Sequence, residues 1–187
     1  MIVKEAPLQG VKVFEPKVFG DERGYFLEAF QSQRYKNAGI DLDFVQDNIS
    51  RSSKGVLRGL HYQLRHPQGK LVTVVRGRVF DVAADIRKES PTFGQWFGLI
   101  LDDQNHKQLY IPPGFAHGFV VLSDHVDFCY KCTDYYTPDD EYGVAWNDKT
   151  IAIDWHILEH NLVLSDKDRQ YQQLADISSE LLPKYSG

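Results

Sequence analysis

Cysteine and methionine are scarce in this 187-residue sequence, and positive charge is outnumbered by negative. Two cysteines cannot build a dense disulfide framework, so the fold has to rest on an ordinary core. Lys and Arg total 21 against 26 Asp and Glu, a net charge of −5. Nucleic-acid binders usually carry a basic excess, so that class is disfavoured. An anionic ligand would need a local cluster of cations, because the global field repels it. No apolar run approaches the roughly 18–20 residues of a membrane span. The opening Met1-Ile2-Val3-Lys4-Glu5-Ala6-Pro7 has no apolar signal core. The expectation is a cytoplasmic protein with reduced thiols and no membrane partner. Repeats, low-complexity tracts and linkers are also missing.

What is present is an ordinary globular composition, with 42% hydrophobic, 13% aromatic and 25% charged residues. The length fits one domain over residues 1–187, at about 100–200 residues per domain. Such a chain buries about 70% of the surface its unfolded form exposes, so neither metal nor disulfides are needed for folding. Period-two alternation is frequent. In Val79–Arg87, Phe80, Val82, Ala84 and Ile86 share one strand face, and Asp81, Asp85 and Arg87 fall on the other. Leu71–Val75 is β-branched and apolar on both faces, as in a strand buried between layers. Val11–Phe14, Tyr25–Phe30, Val56–His61, Phe97–Leu101, Phe115–Leu122 and Val126–Thr133 are further predicted strands. Glycine- and proline-rich turns separate them at short intervals, the pattern of a sandwich or barrel. Helical signal is confined to Gln31–Ala38 and Asp166–Ala175, the second with Ser165 as N-cap.

Two motifs mislead. Cys129-Tyr130-Lys131-Cys132 has redox spacing, but it lies inside a predicted strand, where residues three apart face opposite ways. It reads as two ordinary thiols. His156-Ile157-Leu158-Glu159-His160 matches an inverted zinc-protease signature. That chemistry needs a helix, and Ile151–Trp155 before it alternates like a strand. Trp96, Trp146 and Trp155 read as core.

The chemistry concentrates elsewhere. Gln46 and Asn48, then Arg58, His61 and Gln63, then Lys70 sit on otherwise apolar strands. Strict alternation puts Leu57, Gly59 and His61 on one side of their strand and Arg58 and Leu60 on the other. A packed core excludes unpaired polar groups, so this cluster implies a polar cavity inside a barrel. A second stretch, Pro112–Phe119, turns sharply and leads His117 into a strand. It resembles the second motif of the cupin β-barrels, where the histidine is often a metal ligand. The first cupin motif is only half present: His61-Tyr62-Gln63 supplies one strong ligand, and His61 with His117 makes a weak metal site. A barrel working without metal or other cofactor is expected.

Five segments in order then narrow the resemblance: Phe19–Glu28, Gln46–Gln63, Pro112–Phe119, Tyr135–Glu141 and Leu164–Asp168. Together they resemble the dTDP-4-dehydrorhamnose 3,5-epimerases, from about Phe14 to Asp168. Leu64-Arg65-His66-Pro67 is the visible irregularity, expected to trim a loop near the sugar.

The resemblance implies a mainly β, cupin-type jelly-roll barrel with a few short helices. It also implies an epimerase that inverts C3 and C5 of dTDP-4-dehydro-6-deoxy-D-glucose, giving dTDP-4-dehydro-L-rhamnose. Both carbons neighbour the C4 ketone, so each proton can be removed through an enolate. His61 is the implied base; an unperturbed imidazole, titrating near about 6.5, has a neutral fraction at physiological pH. Asp168 is its implied partner, Lys70 the group facing O4, and Tyr130 the acid on the opposite face. Arg23, Phe26, Glu28, Gln46, Asn48, Arg58, His117, Glu141 and Lys167 are the implied substrate contacts, with Phe26 stacking on thymine. The family also implies a homodimer in which N-terminal strands carrying Arg23, Phe26 and Glu28 complete the neighbour's site. A 3- or 5-mono-epimerase, or an epimerase of another 4-keto nucleotide sugar, would carry the same His61, Lys70 and Tyr130. A ketoisomerase, a non-catalytic sugar-binding cupin and a zinc hydrolase are weaker alternatives.

Overall fold

A computed structural model describes residues 1–185 of the chain. The N-terminal part forms β1 (Ile2–Glu5), β2 (Lys12–Glu15), the hairpin β3 (Val18–Asp21) and β4 (Gly24–Leu27), and helix α1 (Ser32–Asn37). There follow β5 (Gln46–Ser53), β6 (Leu57–Gln63), β7 (Lys70–Arg76), β8 (Arg78–Asp85) and β9 (Trp96–Asp102). Then come β10 (Gln108–Ile111), β11 (Phe115–Val121), β12 (His125–Cys132), β13 (Glu141–Gly143) and the single-turn α2 (Asp166–Arg169). The architecture is the mainly β, cupin-like one expected. A six-stranded sheet in the order β1-β2-β10-β7-β12-β5 faces a five-stranded sheet in the order β13-β6-β11-β8-β9. All named pairings are antiparallel.

Three apolar clusters hold this frame. Val72, Val74, Leu109, Val121, Val126 and Phe128 meet between the sheets. The outer face of the five-stranded sheet, including Leu57, Leu60 and Val82, is covered by Ile151, Trp155, Leu174 and Leu182 of the C-terminal segment. On the other sheet, Phe14, Leu71 and Tyr110 are covered by Tyr35 of α1 and by Ile40.

Several expectations shift in detail. The strand predicted over Tyr25–Phe30 stops at Leu27, because the following residues lead into the α1 N-cap, where the Gln31 side chain accepts from the Arg34 amide. The helix predicted over Asp166–Ala175 breaks after Arg169. Its continuation is tied to another loop instead: the Gln172 carbonyl accepts from the Ala145 amide, and Asp148 Oδ2 accepts from the Leu174 amide. Ile151–Trp155 is an irregular loop rather than a strand. Asp148 Oδ1 gathers the amides of Thr150 and Ile151, and Ala152 has φ 51°.

The decoys resolve plainly. Cys129 and Cys132 lie on β12 as free thiols. The segment around His156 is no long helix, only a 3-10 turn at Glu159–Asn161. Among the described residues no group of three His, Cys, Asp or Glu side chains could hold a metal ion, and no helix is long and apolar enough to cross a membrane. Trp155 is buried, while Trp96 and Trp146 are half-buried beside the same cluster.

Candidate active site

The inter-sheet space changes character along its length. Where β7 carries Val72 and Val74 and β12 carries Val126, it is packed with hydrocarbon. Toward the other end the same strands present Lys70, Tyr130 and Cys132, and a cavity of about 610 Å³ opens. That size suits a small-molecule ligand. β5 lines it with Gln46, Asn48 and Ser50, β6 with Arg58, His61 and Gln63, and β11 with His117.

The β6 wall departs from strict alternation. The β6–β11 ladder pairs His117 with His61 but Phe119 with Arg58, so β6 carries one residue too many. This bulge falls at Gly59 and Leu60. It turns Arg58 onto the cavity side with His61 while Leu57, Leu60 and Tyr62 go to the core. The expected placement of Arg58 on the face away from His61 is therefore overturned. Gly59 is required here: its φ is +131°, and a Cβ would lie 2.5 Å from Gly118 Cα and 2.9 Å from the His117 carbonyl oxygen.

His61 and Asp168 form a tight pair, Nε2 to Oδ1 at 2.5 Å, with Asp168 only 4% exposed. Ser165 caps α2 and donates to the other Asp168 oxygen at 2.7 Å, while the Asp168 amide donates to Ser165 Oγ. Burial opposes ionisation of Asp168, but the His61 and Ser165 hydrogen bonds outweigh it and hold the carboxyl below the usual range. The Tyr171 ring and the imidazole meet in an edge-to-face arrangement, with centroids 5.7 Å apart. The remaining ring nitrogen, Nδ1, faces Glu141, whose Oε1 is 3.9 Å away.

Glu141 belongs to a second group. Its Oε2 accepts from Lys167 Nζ and from the Tyr136 hydroxyl, both at 2.7 Å. Burial raises the Glu141 carboxyl, and these two donors together with His61 bring it below its ordinary value. His117, paired with His61 across the ladder, has its own carboxylate: Nε2 lies 3.0 Å from Oδ2 of fully buried Asp81.

Across the cavity stand Lys70 and Tyr130. Burial pulls the Lys70 ammonium below the lysine range, against the opposing charges of Cys132, Glu141 and Asp81. Burial pushes the Tyr130 phenol up, and the nearby Arg58 charge only partly offsets this. Arg58 Nε is held by Ser52 Oγ at 3.1 Å, which leaves the outer edge of the guanidinium for an anion.

Ten of the thirteen implied catalytic and substrate-contact residues thus line one cavity: Gln46, Asn48, Arg58, His61, Lys70, His117, Tyr130, Glu141, Lys167 and Asp168. Arg23, Phe26 and Glu28 do not. Arg23 and Phe26 sit on the β3–β4 hairpin, where Arg23 pairs with Asp21 and Phe26 is 68% exposed. Glu28 pairs with Arg34 of α1 at 3.0 Å. Ser165 and Tyr136 were missed as site residues, although the N-cap pattern before Asp168 marks the first. The Leu64–Pro67 loop is pinned beside the site, because buried Asp140 accepts from the backbone amides of Arg65 and His66.

With this geometry in place, comparison with known proteins gives a consistent answer. The family model for dTDP-4-dehydrorhamnose 3,5-epimerase matches residues 5–176. A dTDP-4-dehydrorhamnose 3,5-epimerase from Shigella flexneri is 54% identical over 178 residues, covering 94% of this chain and 97% of the relative. The crystal structure of the dTDP-6-deoxy-D-glucose-3,5-epimerase from Legionella pneumophila, in complex with dTDP-4-keto-L-rhamnose, superposes with a TM-score of 0.97. Its identity is 54%, covering 100% of this chain and 99% of that one. A 3'-monoepimerase from Streptomyces bikiniensis bound to dTDP-quinovose is 33% identical with a TM-score of 0.88, covering 96% and 92%. The chain belongs to the dTDP-4-dehydrorhamnose 3,5-epimerase family.

Proposed function

We propose that this chain inverts C3 and C5 of dTDP-4-dehydro-6-deoxy-D-glucose to give dTDP-4-dehydro-L-rhamnose, by proton removal and return through an enolate. The observation that carries this reading is the placement of a histidine–carboxylate pair and a protonated phenol on opposite walls of one polar cavity. His61 lies on the five-stranded sheet and Tyr130 on the six-stranded one. Inversion needs a base on one face of the carbon and an acid on the other. Asp168 fixes the Nε2–H tautomer of His61 and stabilises the imidazolium, leaving the Nδ1 lone pair for the substrate. Lys70 and His117, from opposite sheets, are placed to stabilise charge developing on O4. General base catalysis contributes typically about 10²–10⁴-fold, so charge stabilisation has to supply much of the remainder. Arg58 is the cation for the diphosphate, with Gln46, Asn48 and Lys167 as further contacts. The reaction as read uses no cofactor.

Arg23, Phe26 and Glu28 are read as contacts to the nucleotide in a second subunit's cavity. The exposed Phe19, Tyr25 and Phe26 of the β3–β4 hairpin support a homodimer with shared N-terminal strands. The free thiols fit a cytoplasmic setting.

The test is solvent exchange. The protein is mixed in D2O with dTDP-4-dehydro-6-deoxy-D-glucose and followed by proton NMR, with product trapped by a downstream reductase. Deuterium is expected at both C3 and C5. Deuterium at one carbon alone would move the assignment to a mono-epimerase, and none at either would overturn the reading for this substrate.

A further inference from the structure

Each inversion leaves the base one proton richer and the acid one proton poorer. In the reaction read above, His61 ends as imidazolium and Tyr130 as phenolate. Both have to be reset before the second carbon reacts, and again before the next substrate. The structure shows where the proton on His61 can go. Nε2 is closed off by Asp168, itself buried and held by Ser165. The abstracted proton therefore resides on Nδ1, and Nδ1 faces Glu141 Oε1 at 3.9 Å. A shift of about 1 Å closes that gap to hydrogen-bond length.

We propose that Glu141 is the proton outlet of His61, carrying each abstracted proton from Nδ1 to water at the cavity mouth. The proposal rests on the epimerase reading. In the first step the Nδ1–H bond breaks as an Oε1–H bond forms, leaving neutral imidazole and a neutral carboxyl. The carboxyl then releases its proton to water, and the Tyr130 phenolate takes one from water, so the pair is reset with no net change.

Three features suit Glu141 to this work. Its hydrogen bonds from Lys167 and Tyr136 keep it ionised against burial, so it is ready to receive. The same bonds make the protonated form short-lived, which favours release over storage. Lys167 and Tyr136 are themselves exposed, so the path ends at solvent. The other groups around the imidazole cannot serve equally. Asp168 occupies the wrong nitrogen. Tyr171 has a buried hydroxyl with no hydrogen-bond partner among the described residues, and burial with the nearby Glu141 and Asp168 carboxylates raises its phenol, so it stays protonated. Lys70 and Tyr130 stand on the opposite sheet.

The experiment uses Glu141→Gln in the full chain. Single-turnover deuterium uptake at the first carbon inverted is compared with the steady-state rate at increasing concentrations of small buffers. Glu141 is also an implied substrate contact, so first-carbon uptake is expected to drop, but by less than steady-state turnover does, because that step needs only a neutral base. Steady-state turnover should fall at least about tenfold and recover as buffer rises, since buffer replaces the missing carrier. Wild type should be insensitive to buffer. Equal loss in both measurements without buffer recovery would make Glu141 a binding residue and overturn the proposal, as would an unaffected Glu141→Gln enzyme. Should the glutamine variant fail to fold, Glu141→Asp serves: its carboxylate sits one methylene farther from Nδ1, so its turnover should fall and recover as buffer rises. Turnover of Glu141→Asp that stays insensitive to buffer would also overturn the proposal. Wild type that exchanges neither carbon would instead remove the epimerase reading itself.

Discussion

Replacing Asp168 by Asn keeps the size of the side chain and should nonetheless disable the base. The reason lies in Ser165. Its hydroxyl donates to Asp168 Oδ2 at 2.7 Å, so an asparagine at this position places its carbonyl oxygen there. The amide nitrogen then takes the place of Oδ1 and donates to His61 Nε2, which now accepts rather than donates. The ring proton is forced onto Nδ1, where the reaction needs a lone pair. One charge-assisted hydrogen bond accounts for about 1.5–3 kcal/mol, or roughly 10–150-fold. The wrong tautomer carries the loss further, toward the roughly 10⁴-fold seen when the carboxylate of a histidine-based triad becomes an amide. We expect kcat to fall about 10³–10⁴-fold while the affinity for dTDP, measured by calorimetry, is unchanged. The double variant Asp168→Asn with Ser165→Ala frees the amide to turn its oxygen toward Nε2–H, and part of the rate should return. A loss below about tenfold for Asp168→Asn, or no recovery in the double variant, would refute the argument.

Two further outcomes follow from the site. Gly59→Ala forces a side chain into φ +131° and to within 2.5 Å of Gly118; strain of about 1–3 kcal/mol and overpacking of about 1–3 kcal/mol should lower unfolding stability by about 2–6 kcal/mol in urea melts, and an unchanged midpoint would count against the bulge. Because burial draws Lys70 down and holds Tyr130 up, activity should fall on the alkaline side as the Lys70 ammonium loses its proton, at a pH below the usual lysine range. Lys70→Arg, which stays charged, should move that limb upward, and an unmoved limb would assign it elsewhere.

How much of this was legible depended on whether a signal was local. The β-branched run at Leu71–Val75 and the alternation in Val79–Arg87 became β7 and β8 nearly as expected, because both depend only on near neighbours. The helix at Asp166 was half legible. Its N-cap was visible as Ser165, but its end was set by Asp148 capturing the Leu174 amide from 26 residues away, which no local pattern encodes. Ile151–Trp155 failed for a related reason: its alternation reflects apolar groups covering the outer sheet around a turn organised by Asp148, not a strand. In the site, the polar residues on β5, β6 and β7 announced a cavity. The β6 bulge did not announce itself, since it is a relation between Gly59 and Gly118 on separate strands. Partners such as Asp81 for His117 and Glu141 for Lys167 likewise exist only once β8 pairs with β11 and α2 packs beside β13.

The same bulge also joins the two tasks of the site. Without the extra residue, period two would send Arg58 to the face away from His61, so the cation proposed for the diphosphate and the proposed base could not share one strand wall. With it, the two side chains project into the same cavity three residues apart, with His117 paired to His61 from β11. The proposed nucleotide grip and the proposed base are then fixed to one strand, rather than to separate loops. In the proposed reaction, diphosphate binding at Arg58 then sets the position of the sugar ring relative to Nδ1 of His61, so binding energy from a part of the substrate that does not react serves the proton transfer. On this argument, truncating the substrate to the free sugar should depress kcat as well as affinity. The loss in kcat is the informative part, because a loosely linked binding loop would affect affinity alone.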